Sequence, residues 1–381
     1  MNEAIEWGAF ALGLVIAGYT ASSVLRSLVV PRGLTSFLAG FVSRLNRKTF
    51  LFISNRFDSY ESKDKVMAFG GPVFLVVLLM SWLVLFLLGF TLMIWPFAES
   101  FKGAFLEAGS SMFTLGFSGT ENTAGAILHF AAAATGLIVV ALLIAYLPTL
   151  YSAFNRRETL VTLLQGRAGA PAWGPEILAR HKLAGLMDEL RPLYEEWERW
   201  AADVAESHTN YPPLIYFRSP HPLRSWVIGL LAVMDGAALQ LALAPDSAPT
   251  EARLCLRMGF SCLRYIADLL RIPYDPDPLP DDPIELTFEE FAAGVERLEQ
   301  AEFPMEKTPE EAWLHFKGWR VNYESIAYAL ADLVVAPPGP WSGGRDHLPG
   351  MAIIPERPAD RSPEDPTARG RPKAERFGWH V

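Results

Sequence analysis

The chain has 381 residues, of which 51% are hydrophobic and 20% are charged, and its formal net charge at pH 7 is −9. So much apolar sequence exceeds what one soluble core of this length needs, and a purely soluble protein is therefore excluded. The acidic excess lies beyond residue 154 and argues against nucleic acid as a partner, while only two cysteines exclude a disulfide scaffold.

Three stretches without Asp, Glu, Lys or Arg predict membrane-spanning helices: residues 7–25, 66–98 and 122–155. A helix of about 20 apolar residues crosses the hydrocarbon layer of a bilayer. The first stretch lacks the basic leader of a cleaved signal peptide, so residues 1–31 are predicted to remain as an N-terminal transmembrane helix in contact with membrane lipid.

The segment 32–65 is rich in Lys and Arg and is predicted to be a basic linker on the cytoplasmic side. This places the N-terminus outside, makes the second span run outward and the third run back, and puts everything after residue 155 in the cytoplasm. The expected location is a plasma (inner) membrane. The basic residues behind this topology are Arg32, Arg44, Arg47, Lys48, Arg56, Lys63 and Lys65, with Arg156, Arg157 and Arg167 after the third span.

The connection between the second and third spans is too apolar for an ordinary exposed loop. Ser100 is a good N-cap, and residues 101–113 predict a helix of three to four turns, which is too short to span a membrane. We interpret it as a half-helix that re-enters the membrane. Backbone that is not helical at that depth must be sheltered by protein or line a wet cavity.

Thr114, Leu115, Gly116, Phe117 and Ser118 follow that half-helix. Here the sequence resembles the pore-loop potassium channels, whose repeat is an outer helix, a pore helix, a TVGYG filter and an inner helix. The resemblance covers residues 66–155 and implies an all-α membrane protein with a pore-loop domain. It also implies a homotetramer, in which four TLGFS filters surround K⁺ with backbone carbonyls and the Thr hydroxyl.

Two positions depart from the family's pattern. Ser118 replaces the second filter glycine, at a cost of about 1 kcal/mol if that residue must be left-handed, and Gly119 stands where the family has Asp. Cation conduction is therefore expected, with K⁺ as the permeant ion and Na⁺ left open. Glu107 lies in the pore helix, either behind the filter or facing the outer vestibule.

The third span carries two candidate gating positions, Gly136 as a hinge and Pro148 as a kink near the cytoplasmic end. Both residue types are also common in membrane helices without any such role. His129, near the outer end of the same span, is expected to pack, with pH sensing as the alternative.

Residues 156–336 predict a cytoplasmic helical domain, because apolar residues recur at helical spacing. Helices are expected at 223–243, 250–271, 287–300 and 309–335, with a Pro-rich linker at 275–283. A heptad seam from Leu183 to Val204 either packs within this bundle, which we favour, or zips subunits together. Residues 337–381 are predicted to be a disordered tail.

The stretch 226–244 has one charge, Asp235, and must be weighed as a fourth span. We predict a buried bundle helix instead, because a carboxylate at mid-membrane is costly. Cys255 and Cys262 are expected to be buried, since no further metal ligands accompany them.

No nucleophile and base pair, nucleotide-binding glycine string or voltage-sensing helix is found, so neither an enzyme nor a bound cofactor is expected. The sequence predicts a passive monovalent cation channel gated at its inner helix. The alternative is a non-conducting membrane scaffold or sensor whose cytoplasmic bundle recruits a partner. A cytoplasmic regulator is left open in either case.

Overall fold

The computed structural model describes residues 2–30, 36–120 and 122–344. Within those residues the regular secondary structure is helical throughout, and no strand occurs. Four helices are long and apolar enough to cross a membrane, which suggests a membrane protein and agrees with the all-α expectation.

Two of these helices pack against each other along the N-terminal half. Helix α1 spans Asn2–Leu28 and α4 spans Gly70–Ile94. They approach closely where Gly13 meets Gly89, since a Cβ on Gly13 would lie 2.5 Å from the Gly89 carbonyl oxygen. Two glycines at a crossing allow backbones to come together, as is typical of helix pairs in membranes.

The segment predicted as a basic linker contains two helices. Helix α2 spans Phe37–Ser54 and α3 spans Tyr60–Ala68. Ser36 and Ser59 cap them by accepting hydrogen bonds from Ala39 and Ser62. A serine N-cap satisfies one of the free amides of a helix start, so the sequence carried these signals.

Beyond α4, a short 3₁₀ turn at Trp95–Phe97 leads into α5, Phe101–Met112, and then into α6, Thr123–Ala168. The 46 residues of α6 extend for about 69 Å at 1.5 Å per residue, far more than a bilayer core. The helix therefore continues from the third predicted span, past residue 155, into the C-terminal domain.

The C-terminal domain is a bundle built around α9, whose residues are all buried. A helix surrounded by protein on every side offers no face to lipid, which supports a bundle helix over a fourth span. The bundle helices are α7 (Gly174–Leu183), α8 (Leu190–Asn210), α9 (Trp226–Leu243), α10 (Thr250–Leu270), α11 (Phe288–Gln300), α12 (Pro309–Arg320) and α13 (Glu324–Leu333).

The buried side chains form two hydrophobic cores that meet within α6. One core contains α6 residues up to Ala153 and joins them to α1, α2, α4 and α5. The other begins at Val161 and holds the bundle together. The predicted boundary at 155/156 falls between the two, although no break in the helix marks it.

Two details differ from the sequence predictions. The helix expected at 309–335 is two helices, α12 and α13, separated at residues 321–323. The described start of the tail is ordered: Trp341 is 4% exposed and packs against Phe316 at 5.5 Å between ring centroids. The rest of the predicted tail, 345–381, lies outside the described residues.

The heptad seam packs inside the bundle and does not form a continuous stripe. Its members from Leu190 to Val204 are buried in α8, whereas Leu183 and Leu186 lie before that helix and are exposed. The interpretation as bundle packing is therefore supported, and a zipper between subunits lacks the exposed apolar seam that it needs.

Candidate ion-conducting site

Helix α5 begins and packs as the sequence predicts. Ser100 accepts a hydrogen bond from the Gly103 amide at 3.1 Å, which fixes the N-terminus of the helix. Ala104, Ala108 and Met112 recur every fourth residue and are buried against α4 and α6. At 12 residues, or about 18 Å, the helix is too short to span a bilayer.

The loop that follows α5 folds back onto a single hydroxyl group. The Ser110 Oγ accepts hydrogen bonds from the amides of Phe117 and Ser118, both at 3.1 Å, and donates to the Ser118 carbonyl at 3.4 Å. Ser110 is 1% exposed. Ser110 of α5 therefore holds the last two residues of the predicted filter, Phe117 and Ser118, against α5.

The left-handed backbone positions of this loop are Thr114 and Gly116, with φ of 53° and 72°. Ser118 does not have a positive φ, so the expected penalty at that position does not arise. Thr114 is β-branched, and a left-handed conformation there costs about 1–2 kcal/mol. Strain of this kind is often found at functional sites.

The five predicted filter residues lie together at the surface of the single chain. Leu115 is 62% exposed and Phe117 is 60% exposed. Within the described part of the chain, no donor hydrogen-bonds the carbonyl oxygens of Thr114, Leu115, Gly116 or Phe117. The loop thus presents four consecutive backbone oxygens whose bonding capacity the protomer does not use.

Gly136 lies beside the end of α5. A Cβ at this position would overlap the Met112 carbonyl oxygen and would lie 2.9 Å from Met112 Cγ. Gly136 therefore has a role in packing, because the absence of a side chain lets α6 approach the last turn of α5. Pro148 lies inside α6, which continues as one helix through both positions.

Glu107, in α5, faces α6. Its Oε2 is 3.1 Å from His129 Nε2, and the two side chains are 15% and 10% exposed. The sequence left open whether Glu107 sits behind the predicted filter or faces the outer vestibule, and the structure shows only that it contacts α6. The same contact gives His129 a specific partner in α5, beyond general packing.

In the part of α6 that follows its apolar stretch, Arg157 attaches this helix to the bundle. The guanidinium is fully buried and donates to the carbonyls of Leu214 at 2.8 Å and Phe217 at 2.6 Å. It also lies 3.0 Å from His208 Nε2, which must accept because arginine carries only donors. Arg157, predicted as a basic flank of the third span, is thus a buried anchor.

The helices of the former linker contact the same bundle. Arg218 donates to Asp64 Oδ1 at 2.5 Å and to Tyr60 Oη at 2.7 Å. Tyr60 donates to the Val335 carbonyl at 3.1 Å, and Arg47 donates to that of Leu333 at 3.2 Å. Residues 37–68 therefore lie against the C-terminal domain, at the end of α4 opposite to α5.

Cys255 and Cys262 are buried in the bundle, as expected, and burial raises the pKa of both thiols. Among the described residues, no cluster of three or more His, Cys, Asp or Glu side chains could hold a metal ion.

No family model matches the chain, and no similar protein was found among curated proteins or solved structures. The functional argument therefore rests on the residues and their geometry.

Sequence reasoning did not identify Ser110 or Arg157 as organising residues. Ser110 and Ser111 are adjacent in a run of small residues, and only the folded loop distinguishes them. Arg157 follows Arg156 in the sequence, and nothing in the pair indicates that Arg156 is exposed and bonds Asp203 while Arg157 is buried. Each distinction depends on which side of a helix meets a distant segment.

Proposed function

We propose that the protein is a passive monovalent cation channel, with K⁺ as its expected ion, that conducts through a homotetrameric filter formed by residues 114–118. The observation that carries this proposal is the row of four unbonded carbonyl oxygens that follows a half-helix between two apolar helices. Backbone this exposed is tolerated at membrane depth only where protein or a water-filled cavity shelters it. Four copies around an axis would supply that shelter.

In the proposed mechanism, an ion sheds water as the carbonyls of Thr114 to Phe117 replace its hydration shell. The C-terminal end of α5 carries partial negative charge from the helix dipole, which favours a cation beyond that end. Ser110 positions the loop through its hydroxyl group, and Glu107 with His129 braces α5 against α6. No step requires a cofactor.

The proposed topology has the bundle in the cytoplasm and the loop outside. Helices α2 and α3 contact the bundle through Arg47, Tyr60 and Arg218, so the basic linker and the C-terminal domain share one side. Both carry the Lys and Arg that the positive-inside rule assigns to the cytoplasm. Helix α5 and the loop after it follow the opposite end of α4 in the chain.

Gating would act through α6. Because this helix is continuous from the pore region to the bundle, a movement of the bundle is transmitted directly to the part of α6 that faces the pore. Arg157 holds α6 to the segment 214–217, and Phe217 in turn packs on Gly71 at the start of α4. The bundle is thus connected to both the outer and the inner helix.

The test is K⁺ and Na⁺ flux through the purified protein in liposomes, with two glycine variants as a matched pair. Gly116 and Gly119 both have open space around a Cβ, but only Gly116 has a left-handed backbone. Gly116→Ala should strain the loop by about 1–2 kcal/mol and lower the flux about tenfold, while Gly119→Ala should leave it unchanged.

Oligomer count completes this test. Chemical crosslinking in mild detergent should give four subunits, and a monomer or dimer would contradict the pore. Equal flux of K⁺ and Na⁺ would support the channel proposal but contradict K⁺ selectivity. A tetramer with no flux under either gradient, in both the parent protein and Gly119→Ala, would favour the scaffold or sensor instead.

A further inference from the structure

Helix α2 is amphipathic in an unusual sense, because its apolar side faces away from the protein. Phe37, Phe41, Leu45 and Phe52 are 74%, 51%, 54% and 66% exposed. Their spacings of four, four and seven residues place them on one side of a helix. We refer to these four residues as the outer face of α2.

The opposite side of α2 attaches the helix to the protein: Val42 is buried in the core, and two polar side chains make hydrogen bonds. Asn46 donates to the Gly70 carbonyl at 2.8 Å, at the start of α4, and Arg47 donates to the Leu333 carbonyl at 3.2 Å. The buried Val42 and these two hydrogen bonds therefore hold the helix in a fixed orientation. An exposed apolar surface on a helix held in this way needs an apolar environment of its own.

Basic side chains flank the outer face. Arg44 and Lys48 are exposed on the same side of α2, and the Arg56 guanidinium lies 4.6 Å from the centre of the Phe52 ring. The sequence from Ser36 to Phe57 contains no Asp or Glu. Aromatic residues beside Lys and Arg, without acidic residues, are the chemistry of a helix that binds an anionic lipid surface.

The position of α2 in the chain agrees with this chemistry. The helix lies between α1, which ends at Leu28, and α4, which begins at Gly70, so it is adjacent to the ends of two apolar helices. A second copy of α2 would bring like charges together at this face, which disfavours self-association there. A membrane surface supplies both the apolar layer and the negative charge.

We propose that α2 lies in the headgroup layer of the cytoplasmic leaflet, with its outer face inserted among lipid chains and Arg44 and Lys48 on anionic headgroups. The proposal rests on the membrane placement of α1 and α4 in the proposed function, but it does not depend on conduction. Since Arg47 also binds the bundle, the helix would connect the lipid surface to the C-terminal domain.

Spin labels on the full chain in nanodiscs test the insertion. The native cysteines are fully buried, so a single introduced cysteine can be labelled selectively. A label at Phe41→Cys should be more accessible to O₂ than to a water-soluble nickel chelate. A label at Leu254→Cys, an exposed leucine of the bundle, should show the reverse and is the matched control.

A third label, at Val84→Cys on the exposed side of α4, reports on the membrane placement itself. If position 84 is in lipid but position 41 is as nickel-accessible as position 254, the α2 proposal is wrong and the channel proposal stands. Protection of position 41 from both reagents would mean that protein covers the face, which also overturns the proposal. Nickel access at position 84 would overturn both proposals.

Charge neutralisation tests the preference for anionic lipid. Replacing phosphatidylcholine by phosphatidylglycerol in the nanodisc should raise the Tm of the parent chain by a few degrees, and Arg44→Gln with Lys48→Gln should lose about half of that rise. The control is Arg253→Gln with Arg257→Gln, two exposed arginines four residues apart on α10. Equal rises in all three proteins would contradict the proposal.

Discussion

The loop after α5 and the centre of the C-terminal bundle differ in how their polar groups are bonded. In the bundle, Arg320 is fully buried and pairs with Asp235 at 2.6 Å and Glu324 at 2.8 Å. It also donates to the Tyr328 hydroxyl and the Trp341 carbonyl. In the loop, one hydroxyl holds residues 117 and 118, and four carbonyl oxygens make no bond within the described chain.

This difference distinguishes a buried cluster of paired charges from an exposed loop with unbonded carbonyl oxygens. Burying charges is tolerated only when partners compensate them, and Arg320 of α12 has such partners from α9 and α13. Backbone oxygens that the protomer leaves unbonded are instead available to a ligand or to neighbouring copies. The two regions should therefore respond to substitution in different measurements, the bundle in stability and the loop in local order and flux.

The largest effect is expected at Arg320. Arg320→Met leaves the buried carboxylates of Asp235 and Glu324 without their cation, which should lower the free energy of unfolding by about 3–5 kcal/mol. Urea denaturation of the full chain in detergent, followed by circular dichroism, measures this loss. Arg257→Met, at an exposed position, should change it by less than about 0.5 kcal/mol. If both variants lower the free energy of unfolding equally, the Arg320 cluster does not stabilise the bundle.

Ser110 gives the corresponding test in the loop. Ser110→Ala removes the acceptor for the Phe117 and Ser118 amides, at a cost of about 1–3 kcal/mol, confined to the loop. Hydrogen exchange at those two amides should accelerate, and flux should fall about tenfold. Ser111→Ala is the control, because its hydroxyl makes no hydrogen bond in the described chain. If hydrogen exchange at these two amides is unchanged in Ser110→Ala, the Ser110 hydroxyl does not hold the loop.

His208 links the bundle's stability to pH. Burial, with the neighbouring Arg157, holds the pKa of His208 well below its ordinary 6.5. The unfolded chain therefore binds a proton that the folded chain excludes, and this stability, present above pH 6.5, is lost as the pH falls towards the folded pKa. The loss should be about 1.4 kcal/mol per pH unit below 6.5.

The variant that isolates this effect is His208→Gln, whose amide oxygen can still accept from Arg157. It should flatten the decline between pH 6.5 and 5, although buried His181, whose pKa is also lowered by burial, leaves part of it. His221→Gln, at an exposed position, should leave the slope as in the parent chain. A slope unchanged in His208→Gln would show that His208 is not the titrating group.

Local sequence patterns predicted the helices well and their distant contacts poorly. The N-cap at Ser100, the short α5 and the buried α9 follow from spacing and composition alone. The basic residues of segment 32–65 predicted only its side of the membrane, whereas Arg47 binds a carbonyl of α13 from 286 residues away. Contacts over such separations depend on the whole fold, which no local pattern contains.

The same limit applies to Glu107 and His129, whose separation of 22 residues crosses the loop. Their contact joins α5 to α6 and should contribute about 1 kcal/mol of coupling, the smallest of the effects considered. A double-mutant cycle of Glu107→Ala and His129→Ala, read as unfolding free energy and as flux, measures it. Coupling in both the unfolding free energy and the flux would show that the contact with α6 affects the loop. Additivity within about 0.3 kcal/mol would leave Ser110 as the support of the loop.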